Sequence, residues 1–182
     1  MASEGDNSFE ALALPHIEAA YRLARRLSRN EHDAEDLVQE AYLKACKGFS
    51  GFEVREFGMR PWLLRILHNT FLNRQSRESK APIAMDHETL VSMSKPDGKA
   101  VSFEPPDLDY DQVDEEVKNA IDSLTPEFRS VLILWATMEL SYKEIAAVLS
   151  VPVGTVMSRL HRARQHLVLL LSDFARKNRI AL

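Results

Sequence analysis

The chain has 182 residues, 45% apolar and 27% charged, with 23 basic and 27 acidic side chains giving a net charge of −4. That length suits one large or two small domains. The longest unbroken apolar run, 131–136, is far below the roughly 18 residues of a membrane span, and a lone Cys46 excludes an intramolecular disulfide and a cysteine-cluster zinc site.

Helical periodicity begins early. Ile17, Ala20, Tyr21, Ala24 and Leu27 recur at three-four spacing and predict one buried helix face. A second helix is predicted from Asn30, whose side chain can accept from early backbone N–H groups; its stripe is Ala34, Leu37, Val38, Ala41, Tyr42 and Ala45, and Gly48 is expected to end it as a left-handed cap. A loop from Phe49 to Gly58 follows, then a helix with Pro61 in its first turn that runs through Trp62, Ile66, Asn69, Asn73 and Arg77. The acidic start of the chain lacks the basic and apolar regions of a signal peptide. Neither export nor membrane insertion is expected, and a cytoplasmic setting follows.

Charge is segregated along the chain. Residues 1–80 balance at 12 acidic and 12 basic, residues 81–116 carry 10 acidic and 2 basic, and residues 117–182 carry 5 acidic and 9 basic. The middle also holds four of the eight prolines. Low apolar content with high net charge and proline does not build a core, so residues 81–112 are read as an acidic flexible linker between domains at 8–80 and 113–182.

Past the linker, Val113, Val117, Ala120, Ile121 and Leu124 predict a short helix, and Thr125-Pro126-Glu127 a helix start with a capping hydroxyl. Ser141 and Glu144 have capping-box spacing. Ile145, Ala146, Leu149, Val151, Val156 and Leu160 are spaced as the contacts of a helix-turn-helix, with Ser150 at the turn position where a left-handed glycine is usual. The second helix of that motif carries Thr155, Ser158, Arg159, His161, Arg162 and Arg164. Arginines reach guanine edges or phosphates, and hydroxyls make short contacts. No strand-like alternation appears, so the fold class is all-α: two small helical domains, an N-terminal bundle and a C-terminal helix-turn-helix domain.

The order of several blocks is specific. Residues 33–40 (DAEDLVQE), Phe49-Ser50-Gly51, residues 61–66 (PWLLRI) and Asn69-Thr70 stand in the first half; Leu124-Thr125-Pro126 and residues 151–164 (VPVGTVMSRLHRAR) stand in the second. Together they resemble an extracytoplasmic-function (group IV) sigma factor of the sigma-70 family, a promoter-recognition subunit of bacterial RNA polymerase. The resemblance implies that Asp36, Leu37, Gln39 and Glu40 bind core RNA polymerase. It implies that Phe49, Phe52, Phe57, Arg60, Trp62, Arg65, Asn69, Asn73 and Arg77 bind the −10 element and its melted strand, which needs stacking surfaces and cations. Thr155, Ser158, Arg159, His161, Arg162 and Arg164 then bind the −35 element as double-stranded promoter DNA, and an anti-sigma factor is a further expected partner. Where an Asp commonly follows the Asn-Thr pair in such proteins, this chain has Asn73.

Other chemistries find no support. The six histidines form no metal-ligand spacing, and neither a glycine-rich phosphate loop nor a Ser/His/Asp order occurs. No catalytic residue, metal or cofactor is expected. Two further readings are a sigma-like decoy that titrates an anti-sigma factor and a helix-turn-helix repressor; Arg65, Arg77, Arg159 and Arg162 count against the first, the acidic 33–40 patch and the long linker against the second.

Overall fold

The computed structural model describes residues 8–52, 57–78 and 112–178, and these form eight α-helices with two 3-10 turns and no strand. The first half contains α1 (Phe9–Ala13), α2 (Ile17–Ser28), α3 (Glu31–Gly48) and α4 (Met59–Glu78). The second contains α5 (Glu115–Asp122), α6 (Pro126–Thr137), α7 (Tyr142–Leu149) and α8 (Val153–Asn178). Residues 81–111 of the expected linker lie outside the described residues.

Local chemistry sets most boundaries. The Asn30 side chain accepts from the Asp33 amide at 3.2 Å and opens α3. Ser141 and Glu144 form the reciprocal capping box at the start of α7, with the Ser141 amide donating to Glu144 at 2.8 Å. The turn after α7 holds Ser150 at φ 56°, and the Val151 amide returns to the Ala146 carbonyl at 3.1 Å. Two expectations fail. Gly48 is right-handed (φ −88°, ψ −1°), and the chain tightens into a 3-10 turn at Phe49–Gly51 in place of a left-handed cap. Thr125 stands at the cap of α6, but its hydroxyl makes no cap bond; Pro126 alone fits the first turn.

In the first half α2 packs on α3 and α3 on α4, burying Leu23, Leu27, Leu37, Ala41 and Leu64. In the second, α6 packs on α8 and α7, burying Val131, Leu134, Ile145, Val148, Val156 and Leu160. The two halves are not separate. One continuous core runs through both, joining Leu64, Leu67 and Phe71 of α4 to Phe128, Val131 and Leu132 of α6. The cause lies in α4, where Leu63 and Leu64, Leu67 and His68, and Thr70 and Phe71 are all buried. Neighbouring residues on a helix point about 100° apart, so pairs of this kind bury an arc too broad for one neighbour. One side of α4 meets the first half and the other meets α7.

Polar groups cross the same seam. His68, 5% exposed, shares a 2.8 Å hydrogen bond with the Ser130 hydroxyl through Nε2. Arg60 donates to the Met138 carbonyl at 2.6 Å. Arg29, held left-handed at φ 55° where α2 ends, donates to Asn119 at 3.2 Å and pairs with Glu115 and Asp122. A left-handed arginine costs on the order of 1 kcal/mol, which three acceptors on α5 offset.

Burial pushes the His68 imidazole down to about 4. The ring is therefore neutral when folded and takes a proton more readily when unfolded. Its contribution to stability is complete above the ordinary histidine value of 6.5 and is lost as pH falls through about 4, amounting to at most ~3 kcal/mol. Denaturant titrations at pH 7.5, 5.5 and 4 should show a steeper acid loss for the parent chain than for His68→Gln. Equal losses would contradict a buried neutral ring.

Candidate nucleic-acid and partner interfaces

Three surfaces collect the residues singled out by sequence. On α3, Asp36 and Gln39 are exposed, while Leu37 is 1% exposed and packs inward. Leu37 belongs, as its spacing predicts, to the stripe that seals α3 onto its neighbours, so Asp36 and Gln39 are the members of the set that face outward. Glu40 is part-buried and already paired: Lys44 lies 2.7 Å from it one turn on, and Arg74 of α4 reaches it at 2.6 Å. Hydrogen bonds from Lys44, then from Arg74, hold its carboxyl below the usual range, although burial opposes them. Arg74 also donates to the Asp36 carbonyl at 3.0 Å, which ties α4 to the acidic helix.

Beside Asp36 lies a shallow groove between α2 and α3, lined by Ile17, Glu18, Tyr21, Glu35, Val38 and Gln39. Ile17 is 47% exposed there. An apolar floor with acidic edges suits a basic partner that also has apolar surface to bury. Sequence periodicity assigned Ile17 and Tyr21 to the core, so their share in this surface was missed; the signal available was their place at the outer edge of the α2 stripe, next to Glu18.

The second surface runs along α4. Arg65, Asn69, Asn73 and Arg77 stand four residues apart and share one face; Asn69, Asn73 and Arg77 are exposed and Arg65 is half-buried. The expected aromatics divide. Phe49 stacks on Phe52 with centroids 5.8 Å apart, and Phe52 meets Trp62 at 4.8 Å. Phe9 closes the row edge-on against Phe49 at 5.5 Å. The row packs over Ala13, Ala45, Met59 and Leu63 as a second, smaller core, yet Phe49, Phe52 and Trp62 each keep a half-buried edge. Such a row can support an unstacked base on its outer edge while anchoring α4 on its inner one. Phe57 stands apart, in a cleft of about 740 Å³ with Trp62 and Arg65 on one wall and Lys143, Ala146, Pro152 and Val153 on the other. Arg60, given to the Met138 carbonyl, points into the seam between the halves.

The third surface is the first half of α8. Val156, Leu160 and Ala163 are buried against the core, which turns Thr155, Ser158, Arg159 and Arg162 to a common, half-exposed face. The Ser158 hydroxyl donates to the Thr155 carbonyl at 3.0 Å, leaving its oxygen able to accept. His161 is exposed. Arg164 is different: its guanidinium lies 4.2 Å from the centroid of the buried Trp135 ring, so it braces α8 on α6 by a cation–π contact. Further along, Leu167 packs against the core, but Val168, Leu169 and Leu170 are exposed. Among the described residues no cluster of histidine, cysteine and carboxylate side chains could hold a metal ion. None of the described helices is long and apolar enough to cross a membrane.

Known proteins align with both halves. The family model for Sigma-70 region 2 matches residues 12–81, and that for Sigma-70, region 4 matches residues 114–167. The chain is 33% identical over 161 residues to the ECF RNA polymerase sigma factor SigW of Bacillus subtilis, covering 84% of this chain and 83% of SigW. It is 37% identical over 161 residues to the ECF RNA polymerase sigma factor SigE of Mycolicibacterium smegmatis, covering 88% of this chain but only 60% of that longer protein. Among solved structures, the sigma factor RpoE of Bartonella quintana, crystallised with the anti-sigma factor NepR, superposes with a TM-score of 0.62 at 29% identity, covering 90% of this chain and 96% of RpoE.

The geometry separates the arginines of α8 by role. Arg164→Ala should destabilise the fold by ~1–2 kcal/mol through loss of the desolvated contact with Trp135, while Arg159→Ala should leave the melting temperature nearly unchanged. Thermal denaturation of the two variants checks this; equal melting temperatures would remove the bracing role of Arg164.

Proposed function

The chain belongs to the ECF RNA polymerase sigma factors of the sigma-70 family, and on that premise we propose that it binds core RNA polymerase and directs it to a limited set of promoters. The observation that carries this reading is the presence of two nucleic-acid-suited faces on different helices of one chain. The α4 stripe of Arg65, Asn69, Asn73 and Arg77 continues from the aromatic row of Phe49, Phe52 and Trp62. The α8 face presents Thr155, Ser158, Arg159 and Arg162 in the position of a recognition helix. The first is fitted to the −10 element, whose bases must leave the duplex before they can be stacked or held. The second is fitted to the major groove of the −35 element.

Polymerase docking is assigned to Asp36 and Gln39 with the adjoining α2–α3 groove, where an acidic edge surrounds Ile17 and Tyr21. Glu40 supports that surface through its pairs with Lys44 and Arg74 more than it contributes a free charge. The protein has no reaction of its own in this scheme; phosphodiester synthesis belongs to the polymerase, and the setting is cytoplasmic. An anti-sigma factor is a further partner, and the exposed Val168, Leu169 and Leu170 offer it apolar surface.

Run-off transcription with purified core polymerase on a library of promoter fragments tests the assignment. Promoter-dependent transcripts are expected; their absence with intact binding to an anti-sigma factor would favour a decoy, and DNA binding without polymerase would favour a repressor. In the same assay Asp36→Arg should abolish retention on core polymerase while keeping the parent melting temperature, since this side chain is exposed. Arg159→Ala should weaken −35 binding by ~1–3 kcal/mol if it makes a bidentate base contact. A loss spread evenly over all DNA sequences, with a shallower salt dependence, would identify a phosphate contact.

A further inference from the structure

The cleft of about 740 Å³ beside Phe57 has a make-up that neither nucleic-acid face uses in full. Its walls are apolar on both sides. Phe52 and Trp62, tilted at 54° with centroids 4.8 Å apart, line it from the first half, and Val151, Pro152 and Val153 line it from the second. Arg65 stands on one wall and Lys143 on the other, and among the described lining residues there is no carboxylate. The 26-residue helix α8 begins at Val153 with no acidic side chain in its first turn, so its positive end adds to the field of the two cations. Each wall also carries a left-handed residue, Gly58 at φ 69° and Ser150 at φ 56°. A Cβ on Gly58 would meet no atom within 4 Å, so the rim is open there. A concave, mostly apolar space of several hundred Å³ with a few convergent polar groups has the size and composition of a small-molecule site.

We propose that this cleft binds a small hydrophobic anion, a flat apolar body that carries one acidic headgroup. The body covers the ring surfaces of Phe52 and Trp62 and the facing Pro152 and Val153, and removal of that area from water drives binding. The headgroup takes its place between Arg65 and Lys143, where two like charges on opposite walls favour an anion. A neutral apolar ligand forgoes that attraction, and an inorganic anion leaves the aromatic wall wet. A nucleic-acid strand needs a track of cations along its backbone, and among the described residues only these two line the cleft. Trp62 and Arg65 belong also to the surface assigned to the −10 strand. On the sigma-factor reading above, ligand and strand therefore compete, and the ligand acts as a negative effector of promoter opening.

Two dyes with one ring body test this on the full chain: 8-anilinonaphthalene-1-sulfonate, an anion, and N-phenyl-1-naphthylamine, its neutral counterpart. In fluorescence titrations at low salt, Lys143→Glu should weaken the sulfonate about fivefold and leave the amine within about twofold of the parent, as expected when one exposed charge is reversed. Lys143 is exposed, so the fold is not at risk. Pro152→Asp supplies a second variant: it adds a carboxylate at the cleft and a favourable cap to α8, so the melting temperature should hold or rise while the sulfonate weakens. Displacement by 1-naphthoate should exceed that by decanoate, since ring faces line the wall; the reverse order overturns the flat body. Sulfonate affinity unchanged in both variants overturns the proposal and puts the dye on other apolar surface, such as Leu169, ~24 Å along α8 from Val153. In run-off transcription, the half-inhibiting sulfonate concentration should rise in Lys143→Glu by the same factor as its dissociation constant, and transcription indifferent to the bound sulfonate overturns the effector role. The two readings fail separately: no promoter-dependent transcript without ligand would sink the sigma-factor assignment, while the titrations still judge the cleft.

Discussion

The helix α4 carries three demands on one surface, and the arrangement of the whole chain depends on how its circumference is divided. Leu63 and Met59 face the aromatic row, Leu64, Leu67 and Phe71 join the main core, and Arg65, Asn69, Asn73 and Arg77 turn outward. A helix of 3.6 residues per turn has room for one apolar arc and one polar arc. Here the apolar arc is wide enough to bury His68 and Thr70 along with its leucines. Both polar groups make a hydrogen bond, His68 through Nε2 with Ser130 and the Thr70 hydroxyl to the Ile66 carbonyl at 2.8 Å, although His68 Nδ1 is buried without one. Without Ser130 opposite, a buried imidazole would cost about as much as any unsatisfied polar group, ~1–3 kcal/mol. The seam is therefore specific as well as apolar, since only one register of α6 on α4 brings the hydroxyl to the ring.

What was legible in the sequence follows the range of the interactions involved. The Asn30 cap, the capping box of Ser141 and Glu144, Pro126 in the first turn of α6 and the helix-turn-helix spacing are all decided within a few residues, and each is found in the structure. Gly48 illustrates the limit of that reasoning: glycine permits a left-handed cap but does not impose one, and Phe49 instead continues inward to meet Phe9 and Phe52. Long-range packing decided that position. The shared core was illegible for a related reason. An apolar stripe states that something covers it, not which element does, and Leu67 satisfies the same periodicity whether its neighbour is α3 or α6. The adjacent buried pairs along α4 were the one available sign that two neighbours were needed.

The candidate interfaces divide in the same way. Exposed polar residues at helical spacing, such as Asn69, Asn73 and Arg77, can be placed on a face from sequence alone. Arg164 could not be. Arg164 lies in the basic run of the recognition helix, but the face it occupies brings it over Trp135, a residue 29 positions earlier in the chain. Leu37 sits within a motif of acidic and amide neighbours, and the three-residue step to Ala34 and the four-residue step to Ala41 carry it inward. A motif marks a stretch of chain; the helix wheel then assigns alternate members of that stretch to partner and to core.

Charge placement adds a constraint that composition conceals. With a net charge of −4 the molecule as a whole repels DNA, so binding must come from local fields that act within a Debye length, ~8–10 Å at physiological salt. The acidic helix α3 lies against α4, close to the very stripe assigned to nucleic acid. Arg74 resolves part of that conflict. By pairing with Glu40 and donating to the Asp36 carbonyl, it places a positive group between the acidic surface and Asn73, its chain neighbour on α4. Lys44 neutralises Glu40 from the other side. Away from that cluster, Glu35 of α3 lines the α2 groove, where Glu18 joins it. Two surfaces of opposite preference can thus occupy adjacent helices, because a small cluster of paired charges lies between them and shortens the reach of each field.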